Sequence, residues 1–221
     1  MNIESDEQIQ QEVLRELRWD TRVEETEVGV EVDKGVVTLT GTVSSYAKKM
    51  AAQEAAHRVS GVLDVANDVH VKVPGGLRRN DTEIAQAVRR ALEWDALVPQ
   101  EHIRSTVSDG WVTLAGAVEY LREREDAERA VRYLLGVKGV HNKLVVNPVK
   151  VAPKDVRIVI EEALERRADR EADRIDVKVS DGAVTLSGYV HSWGEKRAIL
   201  GAVSHAPGVL TVKDQLRISP V

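Results

Sequence analysis

No cysteine occurs in the 221 residues, which removes disulfide staples, thiolate nucleophiles and cysteine-ligated metals. Phenylalanine is absent too and aromatics total 4%, so any buried core must come from Val, Leu, Ile and Ala. No run of apolar residues is long enough for a membrane-spanning helix. Basic charge is not in excess: 31 Lys and Arg stand against 36 Asp and Glu, a net charge of −5, which lacks the footprint of a nucleic-acid binder. The opening stretch, Asn2 to Glu7, has neither a basic nor an apolar leader region. The chain as it stands reads as cytoplasmic; a leader removed upstream would make it periplasmic or a peripheral membrane protein. What is present, 43% apolar and 30% charged residues, is ordinary globular usage.

The pattern Gly-x-Val-Thr-Leu-x-Gly-x-Val occurs three times, at 35–43, 110–118 and 182–190. Offsets of 75 and 72 residues separate the copies and hold without a gap through each of them. Leu17 maps to Leu92 and Leu164, Val32 to Val107 and Val179, and Gly61 to Gly136 and Gly208. A fixed register over so many positions marks an internal repeat. Pro74-Gly75-Gly76 and the stretch from Pro148 to Pro153 interrupt regular structure between copies. The chain therefore divides into unit one (1–75), unit two (76–150) and unit three (151–221). About 70 residues is near the smallest size that sustains a lone core. With such short linkers, the units are expected to pack on one another.

Each unit opens with a helix. Ile9, Val13 and Leu17 recur as Ile84, Val88 and Leu92, then as Val156, Ile160 and Leu164, one apolar stripe on a charged cylinder. Asp6, Asp81 and Asp155 stand where N-cap carboxylates are expected. Two strands of period two follow, Val28-Val30-Val32 and Val37-Leu39-Val43 in unit one. Between them, Asp33-Lys34-Gly35, Ser108-Asp109-Gly110 and Ser180-Asp181-Gly182 read as three-residue loops closed by a glycine at positive φ. Gly41, Gly116 and Gly188 face inward on the second strand and predict a close backbone approach by one of the helices. A small-residue helix comes next (Ala52, Ala55, Ala56), then Gly61-Val62 or its equivalents, then a last strand suited to parallel pairing. The fold class is α+β: three tandem αββαβ units, each a three-stranded mixed sheet with two helices on one face.

This unit, with its Asp109-Gly110-Trp111-Val112-Thr113-Leu114-Ala115-Gly116-Ala117-Val118 core and its later Gly136-Val137-Lys138-Gly139-Val140, resembles the BON domain of bacterial osmotically inducible and nodulation proteins. The resemblance covers nearly the whole chain, three times over. It implies a non-enzymatic, stress- and transport-associated protein that contacts phospholipid or an envelope partner, and in some relatives a link to potassium sensing. Two departures are visible, the missing leader and the third copy.

Chemistry is sparse. The six histidines, His57, His70, His102, His141, His191 and His205, share no repeat position and no i, i+4 spacing, so no metal site is expected and they read as solvated or structural. No nucleophile elbow or phosphate loop is present, and no cofactor or catalytic residue is expected. Trp19 and Trp94 are equivalent, each ending a first helix, and two readings fit: a cap packed on the sheet edge, or an interfacial anchor. In unit two, Leu97 and Val98 extend an apolar tip beside Arg89, Arg90 and the linker's Arg78-Arg79, a combination suited to anionic lipid. Arg166 and Arg167 take that place in unit three. Trp111 and Val145 face outward on the unit-two sheet, where packing between units or a partner would cover them. Units one, two and three carry net charges of −6, +1 and zero for residues 1–76, 77–150 and 151–221, so lipid contact falls to unit two or three. A protein-interaction scaffold and cation binding by the acidic unit one are the rival readings.

Overall fold

The computed structural model describes residues 5–77, 79–147, 152–167 and 175–219. Unit one runs α1 (Asp6–Trp19), β1 (Val28–Asp33), β2 (Val36–Val43), α2 (Tyr46–Ala56), β3 (Asp64–Asn67) and β4 (His70–Val71). Unit two runs α3 (Asp81–Trp94), β5 (Ile103–Ser108), β6 (Trp111–Val118), α4 (Leu121–Arg132) and β7 (Gly139–Val146). Unit three repeats it with α5 (Pro153–Arg167), β8 (Ile175–Ser180), β9 (Ala183–Val190), α6 (Trp193–Ser204) and β10 (Thr211–Ile218). In every unit the central strand pairs antiparallel with its predecessor and parallel with the strand after the second helix, a mixed sheet. Unit one breaks its third strand into β3 and β4, both paired with β2. The predicted stripes are the core: Ile9, Val13, Leu17 and their counterparts are all buried, as are Ala51, Ala52, Ala55 and Ala56, whose small side chains seat α2 close to its sheet.

Three local expectations are corrected. The hairpin loop has two residues, not three: Asp33 pairs with Val36, leaving Lys34 and Gly35 at φ 51° and 76°. Asp109-Gly110 and Asp181-Gly182 repeat this, and two successive left-handed residues form the type I′ turn whose twist matches the flanking strands. Asp6 and Asp81 are not N-caps. Ser5 and Asn80 cap their helices, completed by Gln8 and Glu83. The Asp6 carboxylate instead accepts from the backbone N–H groups of Lys34 (2.8 Å) and Gly35 (2.9 Å), and Asp81 does the same with Asp109 and Gly110. This clasp ties the helix start to the hairpin turn; Pro153, at the equivalent position, brings no carboxylate. Lastly, the close neighbour of Gly41 and Gly116 is neither of the unit's two α-helices but the last residue of a short 3-10 turn, Glu25–Glu27 or Gln100–His102. A Cβ there would lie 2.2 Å from the Glu27 carbonyl oxygen or 2.0 Å from that of His102, so the turn entering the hairpin is what requires glycine.

The third strand is tied to the second helix by one side chain. Asn67 Nδ2 donates to the Lys49 carbonyl (3.0 Å) and Asn142 Nδ2 to that of Arg124 (2.8 Å). Asp214 in unit three has no hydrogen to give. Lys196, at the Arg124 position, supplies it, reaching Leu216 O (3.0 Å) and Asp214 Oδ2 (2.8 Å).

The units pack on one another, as expected, through their second helices. Tyr46, Leu121 and Trp193 occupy the same repeat position, the first residue of α2, α4 and α6. Tyr46 packs against the core of the following units, and Leu121 lies in the single buried cluster that units two and three share. Trp193 packs into the unit-one core, stacked on His57 with ring centroids 4.0 Å apart. Polar contacts follow the same order: Glu54 with Arg132 (3.9 Å), and Glu125 with Ser204. One head-to-tail contact, used three times, closes the chain into a triangle. The open sheet faces are turned away from the helices that form it.

Candidate functional site

Trp94 lies two residues beyond Leu92, the last of the inward stripe, and at 100° per residue that turns it away from the sheet. It is 87% exposed and Trp19 is 78% exposed, so neither caps the sheet edge. The following turn separates the other tip residues. Asp95 accepts from the N–H of Leu97 with its side chain (3.0 Å) and from that of Val98 with its carbonyl (3.0 Å). Leu97 is left 49% exposed, while Val98, at 6%, enters the core and is no part of an accessible tip.

The structure adds two residues to this surface. In unit one a groove beside α1 is lined by Glu12, Arg15, Glu16, Trp19, Arg58 and Ser60. The offset of 75 puts Ala87, Arg90, Ala91, Trp94, Tyr133 and Leu135 at those positions in unit two. Tyr133 and Leu135 are 47% and 43% exposed. They follow α4 and lie far from Trp94 in sequence; only comparing groove positions between repeats could have pointed to them. In unit one the same surface is a web of ion pairs: Arg58 with Glu16 (2.6 Å) and Asp20 (2.9 Å), Arg22 with Asp20 (2.8 Å) and Glu54 (3.0 Å). Hydrogen bonds from Arg22, and then from Arg58, hold the Asp20 carboxyl well below the usual carboxylate range. In unit two Ala91 and Tyr133 stand where Glu16 and Arg58 form that web. Of the neighbouring cations, Arg89 bonds Glu93 (2.8 Å), whereas Arg90 is exposed and in no ion pair among the described residues. Arg78 lies outside the described residues, as do the side chains of Arg166 and Arg167.

Trp111 does not join this surface. It begins β6 beside the turn that Asp81 clasps, whereas Trp94 ends the 14-residue α3, about 21 Å of helix away. Its ring lies over Gly139, where a Cβ would come within 2.3 Å, and stacks on His141 with centroids 4.8 Å apart. Trp111 is 43% and Val145 is 63% exposed, so no other unit covers this open face, contrary to the packing expectation. The candidate residues thus fall on separate surfaces: an apolar tip (Trp94, Tyr133, Leu135), a groove that Leu97 lines with Tyr120, Arg122 and His205, and a sheet-face platform (Trp111, His141, Val145). Among the described residues no three His, Asp or Glu side chains converge as metal ligands, and no helix is long and apolar enough to cross a membrane.

The family model for the BON domain matches the chain three times, over residues 5–73, 80–148 and 155–220. Osmotically-inducible protein Y of Escherichia coli (strain K12) is 32% identical over 126 residues, which is 55% of this chain and 63% of that protein. Among solved structures, CdsD, a structural protein of the type III secretion system of Chlamydia trachomatis, aligns over 96% of this chain and 92% of its own at 15% identity and a TM-score of 0.28. Its C-terminal domain gives 14% and 0.27, likenesses too slight to speak for a shared arrangement.

Proposed function

The chain belongs to the BON domain family, and from that premise we propose that it is a non-enzymatic, stress-associated binding protein whose second unit contacts anionic phospholipid. The observation that carries this reading is the apolar tip. Trp94, Tyr133 and Leu135 are exposed and share with Arg90 the positions that line the unit-one groove, while in unit one that surface is closed by ion pairs. An indole flanked by aliphatic side chains suits the headgroup boundary, and a nearby guanidinium suits phosphate. The acidic unit one would be repelled by the same surface, which orients the molecule tip first.

Burying a large apolar side chain contributes about 1.5–3 kcal/mol, so Trp94→Ala should weaken binding about tenfold or more. Cosedimentation with vesicles, with and without anionic lipid, measures this. Equal binding to both vesicle types, or full binding by Trp94→Ala, refutes it. The second reading, a protein-interaction scaffold, is favoured by the exposed Trp111–His141 stack. Under that reading Trp111→Ala should abolish partner recovery and leave vesicle binding intact.

A further inference from the structure

We propose that this chain associates head to tail with a second copy of itself, the acidic open sheet face of unit one resting on the basic open sheet face of unit three. This goes beyond the lipid reading and uses neither unit-two surface.

The strand registers set the two faces. In unit one, Asp33, Val36 and Asp64 form one cross-strand row, with Glu31 and Asp68 on the same exposed side; His70, opposite Thr42, and Lys72 stand at the far end, and the four carboxylates outnumber that one lysine. In unit three, Lys178, Thr185 and Lys213 form a row and Tyr189 pairs with Arg217 in another. Among the described residues none of the four carboxylates is in an ion pair, nor are Lys213 and Arg217; Lys178 lies 3.1 Å from Asp176. These opposite charges cannot meet within one chain, because both faces point away from the helices that join the units. Unmet charge of opposite sign on two rigid faces of one molecule is complementary only between molecules.

The unit-one face carries Thr38, Thr40 and Thr42 along its central strand, and the unit-three face presents Tyr189, 56% exposed, beside an open recess lined by Ser187, Gln215 and Arg217. Each face is three strands wide and its central strand is eight residues long, so it covers at most about 26 Å by 14 Å, which marks a weak, transient contact. Since the two faces differ, each docked pair leaves one acidic and one basic face open, and assembly continues beyond two copies. Exposed charges govern it, so salt should reverse it: the Debye length falls from about 30 Å at 0.01 M to about 8 Å at 0.15 M.

Sedimentation velocity on the whole chain, without lipid, at those two salt concentrations provides the test. One variant neutralises the acidic face (Glu31→Gln, Asp64→Asn, Asp68→Asn) and another the basic face (Lys178→Gln, Lys213→Gln, Arg217→Gln). The unaltered chain is expected to form a concentration-dependent series of oligomers at low salt only. Each variant alone should stay monomeric, and their mixture, with one intact face apiece, should stop at dimers. A monomeric unaltered chain at low salt, or a variant that still associates, overturns the proposal. Because the chain has no cysteine of its own, Thr40→Cys and Ser187→Cys chains mixed under oxidation give an independent readout. A mixed disulfide dimer at low salt is expected, and its absence counts against the contact.

Discussion

Protonation of His57 should loosen the junction between units three and one. The ring is sandwiched against Trp193 within the unit-one core, and its Nε2 is buried without a hydrogen-bond partner, as is Trp193 Nε1. Burial above all, with the Arg197 cation second and Lys196 adding to it, lowers its pKa from 6.5 to about 4 against the opposing pull of Asp64 and Glu54. A histidine whose folded pKa lies below its unfolded value binds its proton more readily when the chain unfolds. Its contribution is therefore intact above pH 6.5, lost as pH falls towards 4, and fully lost below that. At 1.36 kcal/mol per unit the shift is worth about 3 kcal/mol; solvent screening of the partly exposed ring reduces this to about 1–2 kcal/mol. Urea unfolding at pH 7.5 and pH 4 measures it, comparing the unaltered chain with His57→Gln so that the other titrating groups cancel. A background with Trp19, Trp94 and Trp111 changed to Phe leaves Trp193 as the sole indole and its emission as the junction's reporter. The unaltered chain should lose about 1–2 kcal/mol more than the variant. Equal losses would sink the reasoning, because the ring would then be solvated in both states.

Two further outcomes concern the scaffold. Gly116→Ala should cost about 2–4 kcal/mol, since the new Cβ meets the His102 carbonyl at 2.0 Å and φ is +137°; Gly76→Ala, with open space around it, should be near neutral in the same thermal unfolding experiment. Asp81→Ala should speed hydrogen exchange at the Asp109 and Gly110 amides about tenfold or more, by removing two charge-assisted bonds of 2.8 and 2.9 Å. The Asp181 and Gly182 amides, which meet no clasping carboxylate among the described residues, should already exchange fast, and protection there equal to that in unit two would contradict the role given to the clasp.

Helices, strands and their pairing were legible because each depends on a period. The stripe through Ile9, Val13 and Leu17 and the alternation through Val37 and Leu39 need no partner to be read. What failed depended on backbone dihedrals or on distant segments. Lys34 carries no mark of the left-handed conformation it adopts, so a two-residue turn read as three. Asp6 looked like a cap because it begins the helix, yet its carboxylate serves a turn 28 residues later. Glycine at 116 announced a close approach but not that the carbonyl of His102, at the entry to the neighbouring strand, made it. Trp94 was legible as a candidate through its repeat with Trp19. Tyr133 and Leu135 were not, since only folding brings the end of α4 beside that helix, and Val98 was misread because one turn sends adjacent residues to opposite sides.

Comparison among the three copies separates what folds the chain from what it presents. Residues that recur thrice, such as Gly35, Gly110 and Gly182 or the helix stripes, sit in turns and core, where geometry leaves few choices. Where copies differ inside, the differences compensate: Asp214 with Lys196 does the work of Asn142 with the Arg124 backbone. Where they differ on the open faces, nothing compensates. Unit one shows carboxylates that are in no ion pair among the described residues, unit two an indole stacked on an imidazole, and unit three lysine, arginine and tyrosine, on the same backbone surface. Folding would be served equally well by three identical faces, so their divergence is the part of the molecule that stability does not account for. A triangle of like units with unlike outer faces can engage different chemistries in different directions at once, and the self-association proposed above uses the faces of units one and three while leaving the Trp111–His141 face of unit two free.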